Sequence, residues 1–195
     1  QLNDSEGAEA AARKMLAVDP TSVAGLNALA HTLSDRYQYT QVVDLLTPFA
    51  NDAAKRAKGR ESEAAATLAQ LGLAHQQLGA YAAAIAAFTQ ARALAPDDTV
   101  SDLYLAQGLL AARQFERAAA VVGEGLERAP DDARLIRLRA QALARLGRAS
   151  EAISFLETAV KAEPRSPQLA LALADAYAAV QRYDDAVRVV AQAQE

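Results

Sequence analysis

The chain has 195 residues and a formal net charge of −4; it is 52% hydrophobic but only 5% aromatic, with no Cys, no Trp and one Met. About 50 residues are Ala, so the apolar content is mostly small side chains, which argues against one thick core and for thin layers of closely packed helices. Absent Cys excludes disulfide frameworks, thiolate metal sites and cysteine nucleophiles, the acidic balance argues against nucleic acid or acidic membranes as partners, and no apolar run approaches the roughly 18 residues of a membrane-spanning helix.

A period of 34 organises the sequence. Pro96, Pro130 and Pro164 stand 34 apart and close the phrases ALAPDD, LERAPDD and VKAEPRS. Four more columns keep the same interval: Tyr81, Phe115, Ala149, Tyr183; Ala84, Ala118, Ala152, Ala186; Gly72, Ala106, Ala140, Ala174; and Phe88, Val122, Leu156, Val190. Self-similarity of this kind marks a repeat architecture.

In chain order, Gln1 opens the sequence without an initiator Met or a signal peptide, as in a fragment or processed product. Residues 1–20 form a partial unit: Glu6 to Pro20 (EGAEAAARKMLAVDP) has the form of a second helix only. Residues 21–50 form a degenerate unit carrying Leu26, Leu29, Ala30, Leu33, Tyr39, Val42 and Leu46, 42 residues before their counterparts rather than 34. Pro48 falls inside its second helix, where a missing N–H is expected to kink the helix or end it early. Residues 51–64 are a helical, basic insertion. It is read either as flanking helices lengthened by a turn each and solvated by Lys55, Arg56, Lys58 and Arg60, or as a docking elbow or hinge, with Gly59 its weak point. Residues 65–98, 99–132 and 133–166 are full units, and 167–195 is a last, truncated one.

Within a unit the spacing is that of two helices. Leu68, Leu71, Gly72 and His75 share one face; after Gly79, Tyr81, Ala84, Ile85, Phe88 and Ala91 share another. Asp98, Asp132 and Ser166 occupy helix N-cap positions, and Gly79 and Gly147 suit C-caps. Each unit is therefore predicted to be two antiparallel helices of about 13 residues.

The phrases LGLAHQQLGAYAAAIAAFTQARALAPDD and LADAYAAVQRYDDAVRVVAQA, with small residues at the helix crossing, an aromatic opening the second helix and a closing Pro, resemble the tetratricopeptide repeat. The resemblance implies an all-α fold: a right-handed superhelix, or solenoid, of antiparallel helix pairs whose first helices line a concave groove for a partner segment. On that reading the groove carries Asn27, His31 and Ser34; Ala66, Gln70, Leu73 and Gln77; Leu103, Tyr104 and Gln107; Arg134, Arg137, Leu138, Gln141 and Arg145; and Leu171 and Asp175. Asn27 and His31 stand where some family members place the Lys and Asn of a carboxylate clamp, so binding of a chaperone tail is not supported. The Arg-rich fourth face is either ordinary solvated surface, partly neutralised by Asp131, Asp132 and Glu151, or a set of Arg forks for a bound peptide, with Leu73, Leu103, Tyr104 and Leu138 as its apolar floor.

Two core columns carry charge: Asp102, where other units have Leu26, Leu68 and Ile136, and Arg139, where they have Leu. Buried charge is costly unless paired, so these two are expected either to pair with each other or to reach solvent. His31 and His75 belong to no metal-ligand cluster, His31 facing the groove and His75 a packed column. The carboxylate pairs Asp97–Asp98, Asp131–Asp132 and Asp184–Asp185 cap helices rather than perform acid–base chemistry. With no phosphate loop and no nucleophile elbow, the expectation is a non-enzyme without cofactor or metal.

The function expected is a non-catalytic scaffold for a partner protein or peptide. The competing readings are a structural module stacking into a homo-oligomer through exposed terminal units, and the interaction segment of a larger regulatory or membrane-associated protein. Val187, Val190 and Ala193 lack a further helix to cover them, so the natural protein is expected to continue or these ends to meet another copy. Abundant Ala and Arg with four Lys suggest a bacterial source, and absent Cys leans toward an extracytoplasmic site with the cytoplasm open.

Overall fold

A computed structural model describes residues 2–193, with side chains from residue 6. Gln1, Gln194 and Glu195, at the outer limits of the first and last predicted units, lie outside the described residues. Twelve helices and no strand are present among the described residues. They fall into two compact units that divide between Ala112 and Arg113.

The first unit contains α1 (Leu2–Val18), α2 (Val23–Asp35), α3 (Tyr39–Asn51), α4 (Ala53–Arg56), α5 (Glu61–Gln77), α6 (Tyr81–Leu94) and α7 (Thr99–Ala111). The second contains α8 (Phe115–Arg128), α9 (Ala133–Arg145), α10 (Ala149–Ala162), α11 (Pro167–Ala179) and α12 (Tyr183–Gln192). Consecutive helices pack as pairs, α5 with α6 in one unit and α11 with α12 in the other, and each first helix also meets the preceding second helix, as α7 meets α6 and α11 meets α10.

Local chemistry sets the helix ends. Asp98 and Asp132 cap α7 and α9, each carboxylate accepting a backbone N–H two residues on at 2.9 Å. Ser22 caps α2 through Gly25 N–H at 3.3 Å. Ser166 occupies the same place before α11 but makes no side-chain cap bond; Pro167 starts that helix with a preset φ instead. The turn inside each pair uses a left-handed residue. Gly79 (φ 74°) and Gly147 (φ 76°) take it as expected, but so do Tyr37, Arg113 and Gln181, at φ 60–62°. The conformation is set by the turn, whose Ala80 N–H closes on His75 C=O at 2.8 Å and whose counterpart Arg182 N–H closes on Tyr177 C=O at 2.9 Å.

Two expectations about the degenerate region change. Helix α3 does not end at Pro48 but runs on to Asn51. Phe49, just beyond the proline, is fully buried in the first unit's core and holds the last turn in place. The insertion does not lengthen both neighbours. Helix α3 keeps 13 residues, α5 gains a turn at its start to reach 17, and α4 forms between them. Ala53 and Ala57, four apart, bury into the core, and Gly59 at φ 77° turns the chain into α5.

Around the α6–α7 junction the packing is close. Phe88 lies between two glycines: a Cβ built on Gly72 would stand 2.4 Å from the ring, and one on Gly108 would stand 2.8 Å away. Asp102, wholly buried, meets Arg92 of α6, Nε to Oδ1 2.7 Å, an ionic approach without the alignment of a hydrogen bond. Its partner within the unit thus comes from the preceding second helix. In the second unit the Arg139 guanidinium lies 5.3 Å over the Phe155 ring, an apolar-stem, charged-tip solution for the other charged column.

Candidate functional site

The first helices of each unit carry the residues that the repeat pattern turns away from the packed columns. In the first unit α5 and α7 lie side by side, and Ala65, Ala66, Ala69, Gln70 and Leu73 of α5 face Val100, Ser101 and Tyr104 of α7 across a cleft of about 170 Å³, with Asp98 at its rim. Short side chains on α5 leave the space open. Tyr104 does not close it, because its ring stacks on Phe88 with centroids 5.9 Å apart and planes 10° apart. The Gln70 Oε1 oxygen is shielded from solvent and has no hydrogen-bond donor among the described residues. Gln107, half-buried, lies further along α7.

Asn27 and His31 of α2 are occupied within the chain. Thr67 Oγ1–H donates to Asn27 Oδ1 at 2.9 Å, and Asn27 Nδ2–H donates to Glu63 C=O at 3.4 Å, tying α2 to α5. His31 is exposed and stands 3.1 Å from Asp35 one turn on. His75, in its packed column, is half-buried, and burial pushes its pKa below the ordinary 6.5.

In the second unit α9 presents Arg134, Arg137, Gln141 and Arg145. Arg134 forks back onto its own cap, with Nε 3.1 Å and Nη2 2.7 Å from the two Asp132 oxygens, and this bond holds the Asp132 carboxyl below its ordinary value. Arg148 pairs with Glu151 at 2.6 Å, Arg182 with Asp185 at 2.6 Å, and Arg188 also reaches Asp185. Arg137, Gln141 and Arg145 have no such partner among the described residues. On the neighbouring α11, Leu171 and Asp175 are exposed.

Two residues of the expected apolar floor are not available to a partner. Leu103 is 6% exposed and Leu138 2% exposed, so both belong to the packing. Leu73 and Tyr104 remain, half-buried at the cleft. The cleft itself, and the unsatisfied amide in it, were not visible to a count of columns; the run of Ala at 64–66 and 69 was the only signal. Among the described residues no group of three His, Cys, Asp or Glu is arranged to hold a metal, and no helix is long and apolar enough to cross a membrane.

Comparison with known proteins bears on this arrangement. A family model described as tetratricopeptide repeat matches residues 76–142 and 143–195, more than half of the chain. No curated protein matches the sequence. Among solved structures, a MamA protein superposes with a TM-score of 0.66 at 22% identity, covering 84% of this chain and 85% of its own. A thermophilic TPR protein of Thermus thermophilus, TTC0263, gives 0.63 at 22% identity, covering 88% and 90%. YrrB, described as a TPR protein with an unusual peptide-binding site, gives 0.61 at 17% identity, covering 94% and 90%. At these identities the likeness shows a shared fold, the all-α solenoid of antiparallel helix pairs.

Proposed function

Because the chain belongs to the tetratricopeptide repeat family, we propose that it is a non-catalytic scaffold that binds a partner protein or peptide along the exposed faces of its first helices. The observation that carries this reading is the row Arg137, Gln141 and Arg145 on α9. These residues stand four apart on one face and have no partner among the described residues, while Arg134, Arg139 and Arg148, on or beside the same helix, are engaged. Arg forks suit the carboxylates and carbonyls of a peptide. A relative of the same fold is described by its peptide-binding site, and fold alone does not assign a ligand.

The test is affinity capture with the native chain, followed by the same capture with Arg137→Glu and Arg145→Glu together. The recovered partner should bind about tenfold more weakly or worse to the double variant. Undiminished binding would overturn the α9 face as the site.

A second reading, self-association, has its own observation. Ile85 and Ile153 are 8% and 7% exposed, each beneath the next first helix, whereas Val187 at the same repeat position on α12 is 71% exposed, with Tyr183 bare beside it. Light scattering distinguishes the two: a concentration-dependent mass abolished by Val187→Asp supports self-association, and a constant monomer mass removes it.

A further inference from the structure

We infer that the cleft between α5 and α7 is a subsite for one aliphatic side chain of an extended partner peptide, whose main-chain amide is read by Gln70; this deepens the scaffold reading and rests on it.

The chemistry of the cleft selects the occupant. Its walls are methyl groups of Ala65, Ala66 and Ala69, the Leu73 side chain and the Tyr104 ring, so an inserted group gains by shedding water from apolar surface. Its volume of about 170 Å³ holds a single apolar side chain, and the methyl-rich walls favour a branched aliphatic one. The Asp98 carboxylate at the rim, held there by capping Val100 N–H at 2.9 Å, repels an acidic side chain.

Gln70 settles the conformation of the occupant. Its Oε1 is sequestered from solvent without a donor among the described residues, and an amide so placed is satisfied by a group offering N–H and accepting in return. A peptide main chain offers both. In a helix those groups are spent internally, so only an extended segment presents a free N–H beside its side chain. Tyr104 is held against Phe88, and no described residue supplies the Gln70 oxygen with a donor.

The probe is a displayed library of random peptides screened against the full chain in native form, as Gln70→Leu, which keeps the bulk and removes the amide, and as Ala66→Phe, which fills the cleft from an exposed position. Circular dichroism melts establish that each variant folds. The enriched peptides should share an aliphatic residue at one fixed position and lose about tenfold in affinity for either variant. The decisive arm needs no protein variant: N-methylation of the peptide amide at that residue should weaken binding to the native chain and make no further difference to Gln70→Leu. Peptides that bind with affinity indifferent to both substitutions overturn the subsite and leave the scaffold reading standing. Equal sensitivity to N-methylation in native and Gln70→Leu chains overturns the role of Gln70, and a library from which nothing is enriched overturns the subsite, leaving the scaffold reading to the capture experiment.

Discussion

The α6–α7 junction and the α10–α11 junction stand 68 residues apart, two periods, and solve one packing problem with different atoms. In the first, Phe88 fits because Gly72 and Gly108 give up their side chains; in the second, the smaller Leu156 has Ala140 and Ala176 at the corresponding positions. The first sets Arg92 against Asp102, and the second has Val160 and Ala170 there. What repeats is the volume and charge balance of a junction rather than the identity of any residue in it, as close packing demands.

The largest effect should come from upsetting the charge balance. Arg92→Val alone leaves the buried Asp102 without its guanidinium and should cost about 3–5 kcal/mol in urea unfolding. Adding Asp102→Ala imports the other junction's pair and should return stability to within about 1 kcal/mol of native, since apolar replacements of buried ion pairs are well tolerated. If the single and double variants are equally unstable, the junctions are not equivalent.

Volume comes next. Gly72→Ala should destabilise by about 1–3 kcal/mol, the clash with Phe88 outweighing the roughly 1 kcal/mol that Ala gains over Gly in a helix. Phe88→Leu in the Gly72→Ala background should recover part of that loss. Strictly additive costs in the double-mutant cycle would mean that ring and glycine do not compensate each other.

The caps offer a smaller contrast. Asp132→Ala should cost about 1 kcal/mol, and Ser166→Ala much less, because only Asp132 bonds the helix it precedes. The Asp132 carboxyl is held below its ordinary 3.8, chiefly by the Arg134 bond. A depressed folded value means that this stabilisation is complete above the ordinary value and fades as pH falls through the lower one. The penalty of Asp132→Ala should therefore shrink in acid, and a penalty that grows in acid would contradict the assignment. Smallest of all, Gln181→Gly should raise stability by about 0.5 kcal/mol by relieving a left-handed backbone, while Gly147→Ala should lower it by a similar amount; thermal melts read both.

Much of this was legible in the sequence because helix pairing depends on spacing alone. The columns three and four apart became the buried faces of α5, α6, α9 and α10. The glycine turns were legible, but their full extent was not: Arg113 and Gln181 share the left-handed position with Gly79 and Gly147 at the same interval, and the period rather than the residue type was the signal. The Arg92 partner of Asp102 was hidden because it stands on a second helix, outside the first-helix column from which Asp102 departs. A comparison ten residues back would have found it, since Leu126 and Ile136, then Val160 and Ala170, hold the same two places. The course of residues 51–62 depended on whether Ala53 and Ala57 would bury, which no periodicity specifies. Leu103 and Leu138 sit where a helical wheel passes from groove to packing, and only the neighbouring helices decide such a border.

The Arg92–Asp102 contact has a bearing on how such an array can change over generations. Tandem arrays grow and shrink by duplication and loss of whole segments, and greasy seams accept nearly any neighbour. Helix α7 could not be transplanted behind α10 without setting its carboxylate against Val160, nor α11 behind α6 without confronting Arg92 with Ala170. This ionic seam thus gives the array a fixed reading direction at that point, a keyed joint that resists shuffling where the apolar pair at α10–α11 would permit it.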